Sequence, residues 1–171
     1  MPLRPPCRDA RVPALIDRRW IAAFLFAALV SGCGTGARYR VPGDRLERIR
    51  LLPPVAGTVS SGFGKRAGGV HEGIDILAPA GAQVRAASGG RVEYTGSRKR
   101  GYGNAVVLDH GDGITTLYGH LATIRVQSGE TVPAGAVIGT VGRSGNATTH
   151  HLHFELRVDG EAVDPAPYLN R

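Results

Sequence analysis

Ala105-Val106-Val107-Leu108-Asp109-His110, Gly111-Asp112-Gly113 and Ile114-Thr115-Thr116-Leu117-Tyr118 stand in succession. Two runs rich in β-branched and apolar residues flank a Gly-Asp-Gly turn, which predicts an antiparallel hairpin. The same alternation of run and turn extends in both directions. Upstream, Gln83-Val84-Arg85-Ala86 and Gly90-Arg91-Val92-Glu93-Tyr94 read as strands on either side of a Gly-Gly pair. Downstream, Ala136 to Val141 reads as a strand, and His151 to Val158 as another, ended by the hairpin pair Asp159-Gly160. No window carries a helical period. The chain holds 25 glycines in 171 residues, about twice the usual share, which suits many tight turns. The expected class is therefore mainly β: a small antiparallel sheet or sandwich. Pro79-Ala80-Gly81-Ala82 recurs as Pro133-Ala134-Gly135-Ala136, each leading into a strand. A duplicated strand unit would explain the echo, and so would chance.

The N-terminus reads as an address. Arg18-Arg19 precede an uninterrupted apolar run, Trp20 to Val30, followed by small residues; that is the layout of an export signal. The run is shorter than the roughly 20 residues of a membrane span. Val30-Ser31-Gly32-Cys33 resembles a bacterial lipobox, which implies lipidation of Cys33, attachment to a membrane and a place in the cell envelope. Gly34 follows where aspartate would signal inner-membrane retention, which points to the periplasmic face of the outer membrane. The expected organisation is a signal peptide over 1–32, a lipidated cysteine and polar tether over 33–54, and one domain over 55–169. The two cysteines, Cys7 and Cys33, lie outside that domain, so no internal disulfide and no cysteine zinc site supports it. Five of the 21 basic and two of the 14 acidic residues belong to the arm before the apolar run, so the rest of the chain carries +4 of the formal +7. That mild excess suits an anionic polymer. No basic run with interleaved aromatics forms a nucleic-acid platform, and no nucleic-acid partner is expected.

Two segments carry chemistry: His71-Glu72-Gly73-Ile74-Asp75 and His151-Leu152-His153. Alternate residues of a strand share a face, so His151 and His153 point one way, and His71 and Asp75 do so if their segment is extended. Four metal-capable groups can converge without a helix. Imidazole and carboxylate suit zinc, and a catalytic site takes three of them and keeps one position for water. The fourth can act as general base. Tyr118-Gly119-His120 adds a histidine at a strand end. His110, beside its turn, and His150, before its strand, are expected to be structural or solvent-facing.

With Ser61-Gly62-Phe63-Gly64 and Val141-Gly142-Arg143-Ser144-Gly145, these segments resemble in order and spacing the motifs of the LytM or lysostaphin-type metallopeptidases. The resemblance covers roughly Val55 to Leu169. It implies a LytM-type sheet akin to a duplicated hybrid motif, and a zinc-dependent endopeptidase acting on peptide cross-links of bacterial peptidoglycan. It implies His71, Asp75 and His153 as zinc ligands, His151 as general base or orienter of the attacking water, and His120 as stabiliser of the oxyanion. Glu72 matches no ligand position. Thr149-His150 departs from the Gly-Pro that many members carry. A Gram-negative host would favour the D-alanyl to meso-diaminopimelate bond as the one cut. Some members lack the ligands and activate cell-wall amidases, so an amidase or division partner is the alternative; the complete ligand set argues for catalysis. Val126 to Gly142 also resembles a biotinyl or lipoyl strand-turn pattern, but neither Lys65 nor Lys99 sits in the hairpin such a carrier needs.

Overall fold

His151–Val158 is the strand around which the domain is organised. In this computed structural model, which describes residues 50–98 and 101–169, that strand is β11 of twelve. The others are β1 (Thr58–Ser61), β2 (Gly64–Arg66), β3 (Gly69–His71), β4 (Ile74–Leu77), β5 (Gln83–Arg85), β6 (Gly90–Arg98), β7 (Gly103–Asp109), β8 (Ile114–Ile124), β9 (Thr131–Val132), β10 (Val137–Val141) and β12 (Glu161–Val163). The main sheet runs β1-β4-β11-β8-β7-β6-β9, with β12 on β11, and β10 joining β8 to β5; β2 and β3 form a separate hairpin. Every pairing between these strands is antiparallel. The only helical element among the described residues is the 3-10 turn Ala166–Tyr168. The mainly β, single-domain expectation holds. The export signal, Cys33 and most of the tether lie outside the described residues.

Parity explains the layers. Leu152, Phe154, Leu156 and Val158 are fully buried on one face of β11. They pack with Tyr118, Val106, Leu108, Ile74 and Ile76 in one core. Tyr118 and Phe154 lie opposite each other in the register, with ring centroids 5.4 Å apart. The intervening residues, His151, His153, Glu155 and Arg157, point to the opposite face. The hairpin of the opening stretch forms as β7 and β8, with Val107 opposite Leu117 and Asp109 opposite Thr115.

Two expectations need correction. Leu51 and Leu52 read as tether, yet Leu51 is buried and bridges Leu169, and the Leu52 amide donates to Ala87 O. The packed body thus begins no later than Leu51. Nor is the strand ending at Tyr118 complete: β8 continues through His120 to Ile124.

The Pro-Ala-Gly-Ala echo has a structural counterpart. Ala82 N donates to Pro79 O and Ala136 N to Pro133 O, and the glycines of the two turns have φ of 79° and 80°. The turns lead into β5 and β10, which pair with each other. Reciprocal bonds tie the units: Gly81 N to Val141 O and Val141 N to Ala82 O, Gly135 N to Ala86 O and Ala86 N to Ala136 O.

Candidate metal centre

Three donor atoms meet where β3, β4 and β11 converge. Asp75 and His153 are register partners on β4 and β11, which brings Asp75 Oδ1 to 2.9 Å from His153 Nδ1. His71 ends β3, and its Nε2 lies 3.1 Å from Asp75 Oδ1 and 3.1 Å from His153 Nδ1. The segment from His71 to Asp75 is not one extended strand, the condition under which their spacing would place them on one face: β3 ends at His71 and β4 begins at Ile74. The chain passes from the β2–β3 hairpin into the main sheet at Glu72-Gly73, and the two residues meet across that junction. Gly73 permits it: a Cβ there would come within 2.3 Å of Phe154 O.

The three edges of 2.9, 3.1 and 3.1 Å compare with about 3.3 Å for a tetrahedral centre with bonds of about 2.0–2.1 Å. The donor set therefore fits zinc. The far nitrogen of each ring is engaged as well. A carbonyl or carboxylate can only accept, so the outer contact of each ring keeps a proton on that outer nitrogen. His153 Nε2–H donates to Glu155 Oε1 at 2.9 Å; without a metal its Nδ1–H donates to Asp75 Oδ1, and a bound ion would take the place of that proton on Nδ1. His71 Nδ1–H donates to Gly62 O at 2.7 Å, leaving Nε2. Arg66 Nη2 also lies 2.5 Å from that Nδ1; a guanidinium can only donate, so the ring that presents Nε2 to a metal keeps the Gly62 bond. Arg66 Nη2 further donates to Ser61 Oγ, and to Asp75 Oδ2 at 3.3 Å.

Burial works against the Asp75 charge, but the bond to His153, the charges of His71 and His153 and the Arg66 bond outweigh it; its carboxyl is held well below the usual range. Burial disfavours a charged His153 too, yet its bonds to Asp75 and Glu155 prevail and raise it. Glu155 is fully buried. It accepts from His153, from Tyr102 Oη at 2.5 Å and from Arg157 Nε at 2.6 Å, and these donors overcome desolvation and lower its pKa. Arg157 continues to Glu72 Oε2 at 2.5 Å. Glu72 is thus an outer partner and no ligand. Sequence reasoning gave Glu155 no role, although it is the next residue after His153 on the same face.

His151 and His120 flank this group. His151 Nδ1–H donates to Thr149 O at 3.0 Å, and its Nε2 lies 3.7 Å from Asp75 Oδ1. His120 Nδ1–H donates to Ser144 O at 2.8 Å. The two rings meet edge-on, centroids 4.7 Å apart, and burial lowers the His120 pKa. Parity would send His120 to the core beside Tyr118. Between Asn104↔Leu121 and Val106↔Tyr118, β8 holds one residue more than β7, and His120 takes φ of 61°. Such a bulge re-aims a side chain, here into the groove. Together these residues line an open groove of about 330 Å³. His110 stays outside it, its Nδ1 against Gly89 O and its Nε2 against Thr116 Oγ1. His150 is exposed.

The model of peptidase family M23 matches residues 69–165. The chain belongs to that family. "DD-carboxypeptidase/endopeptidase Mpg" of Neisseria meningitidis is 42% identical over 123 residues, covering 68% of this chain and 28% of the relative. "Outer membrane antigenic lipoprotein B" of Haemophilus influenzae is 42% identical over 118 residues, 69% of this chain and 29% of the relative. "Murein hydrolase activator NlpD" of Escherichia coli is 40% identical over 116 residues, 68% of this chain and 30% of the relative. The chain spans under a third of each of these relatives. Among solved structures, the catalytic domain of lysostaphin from Staphylococcus simulans superposes with TM-score 0.62 at 34% identity, over 66% of this chain and 91% of that domain. A zinc-containing peptidase from Vibrio cholerae superposes with TM-score 0.59 at 36% identity, over 67% of this chain and 37% of its own. The LytM-type fold expected from the motifs is thereby shown.

Proposed function

We propose that this M23 protein is a zinc-dependent endopeptidase that hydrolyses peptide cross-links of bacterial peptidoglycan from a lipid anchor at Cys33. One observation carries the reading: three donor atoms stand at zinc-ligand spacing with both ligand rings fixed from behind, and two further histidines face the same groove. His71, Asp75 and His153 would hold the ion, which supplies a water ionised near neutral pH and polarises a carbonyl. His151, its tautomer set by Thr149 O, offers Nε2 to take a proton from the attacking water and return it to the leaving amine. His120, its Nδ1–H held by Ser144 O, turns Nε2 to the groove, where the ring protonated from solvent would donate to the developing oxyanion. Glu155 keeps His153 in the liganding tautomer.

The relatives named for outer-membrane lipoprotein and for carboxypeptidase/endopeptidase support the envelope location and the substrate class. The proposed organisation is a signal peptide over 1–32, the lipidated Cys33 with its tether, and one domain ending at 169, its start moved back from 55 to Leu51. A second reading rests on the NlpD relative: a regulator of murein hydrolases whose groove serves as a binding surface. Purified sacculi incubated with the full chain separate the two. Loss of cross-linked muropeptide dimers, abolished by a chelator and by His151→Ala, is expected. Intact sacculi with one zinc bound per chain would instead support the regulator.

A further inference from the structure

His120 stands on a bulge in a left-handed backbone, a conformation that persists only where its surroundings hold it. Its amide donates to Tyr102 O at 2.7 Å and its Nδ1–H to Ser144 O at 2.8 Å. The second contact decides the chemistry of the ring. A carbonyl can only accept, so it keeps the proton on Nδ1 and leaves Nε2 for the groove. Ser144 belongs to the loop that leaves β10, and a loop carbonyl aims a ring only as well as the loop itself is held.

The Ser144 side chain supplies that hold. Its Oγ accepts from Asn104 N at 2.9 Å and donates to Leu121 O at 2.9 Å. Asn104 and Leu121 are register partners on β7 and β8 where the bulge begins, so one hydroxyl ties the loop to both strands at the irregular step. Asn104 Nδ2 donates to the same Leu121 O at 3.2 Å. The fit leaves little slack: a Cβ on Gly103 would collide with Ser144 Oγ, and one on Gly145 with Gly101 O. Among the described residues, the hydrogen bonds of the Ser144 hydroxyl and carbonyl go to Asn104, Leu121 and His120, and to none of His71, Asp75 and His153.

We propose that Ser144 is a positioning residue for His120: its hydroxyl pins the loop to the bulge, so that its carbonyl holds the ring with Nε2 toward the groove. The catalytic meaning rests on the peptidase reading, in which His120 serves the oxyanion; the pinning of the ring does not.

The test uses the full zinc-loaded chain in detergent at about pH 8, where a histidine of ordinary pKa is neutral. The variants are Ser144→Ala and the space-filling Ser144→Cys, whose thiol is a weak donor and acceptor. Long-range nitrogen–proton NMR spectra of the imidazoles, with His120 assigned by its loss in His120→Gln, report which ring nitrogen carries the proton. The natural chain is expected to show the His120 proton on Nδ1, and both variants a mixture of the two tautomers with zinc content unchanged. In cleavage of sacculi, each variant should lose about 10–100-fold where His120 is present. In His120→Gln the further loss should be no more than about twofold, because there is no ring left to position. A proton on Nε2 in the natural chain, or one that stays on Nδ1 in both variants, overturns the proposal. So does an equal loss of cleavage in both backgrounds, a loss of zinc, or a failure of both variants to fold, since the hydroxyl would then support the domain rather than the ring. Sacculi left intact by the natural chain would remove the peptidase reading, and the tautomer would still decide the positioning.

Discussion

Glu155 has no exposed surface, and its carboxylate is satisfied entirely by His153, Tyr102 and Arg157. Desolvation makes such a charge costly unless every lone pair is used, and here each donor also fixes a neighbour. Glu155→Gln keeps the shape but removes the charge that holds the His153 proton on Nε2. Zinc affinity is expected to fall by about 10–100-fold, read by competition with a chromophoric chelator, with the β-sheet circular dichroism retained. Unchanged affinity would mean that the carboxylate only packs. The argument that placed His151 and His153 on one face extends two residues further to Glu155, so the residue was within reach of the sequence. Its partners were not. Tyr102 is 53 residues away along the chain, and its hydroxyl, held protonated by burial and by Glu155, meets the carboxylate only because β7 and β11 both border β8. Arg66 was illegible for the same reason: its approach to Asp75 depends on how the β2–β3 hairpin folds back.

Strand-level parity accounts for most of the site, and the exceptions fall where the chain breaks parity. His153, Glu155 and Arg157 follow from β11 being straight, and β11 spans the same residues in the sequence reading and in the structure. His120 reaches the groove only through the extra residue in β8 and a left-handed backbone. Nothing in Tyr118-Gly119-His120 announces that. A non-glycine residue in this conformation costs about 1–2 kcal/mol. His120→Gly should therefore be at least as stable as the natural chain in urea unfolding, although it deletes a buried ring. The same substitution should reduce cleavage of sacculi by about 10²–10³. A chain that is clearly destabilised would show that the His120–His151 ring contact outweighs the strain. The Pro-Ala-Gly-Ala echo proved legible in kind, because a left-handed glycine three residues into each unit sets the same turn twice. That the two units then pair with each other is a long-range fact which four recurring residues cannot encode.

At the scale of the molecule, the core and the groove titrate differently, and His110 separates them. It closes the β7–β8 turn region, bonded to Gly89 O and against Thr116, whose hydroxyl reaches the buried Tyr118, a phenol pushed up to about 12 by burial. Burial lowers the His110 pKa below its ordinary value. In the unfolded chain His110 takes a proton near pH 6.5, while in the fold it resists. Its contribution to stability is thus fully present above about pH 6.5 and declines as pH falls toward the lowered folded value. His153, raised in the metal-free chain, acts in the opposite sense: its contribution is present at low pH and is lost as pH rises through the raised value. Comparing the natural chain with His110→Gln, both kept metal-free by a chelator, cancels the His153 contribution and isolates His110. The stability difference between them, from urea midpoints, should be greatest near pH 8 and shrink toward pH 5. A difference that stays constant across that range would mean that His110 is solvated in the fold and that the acid response of the domain arises in the groove alone.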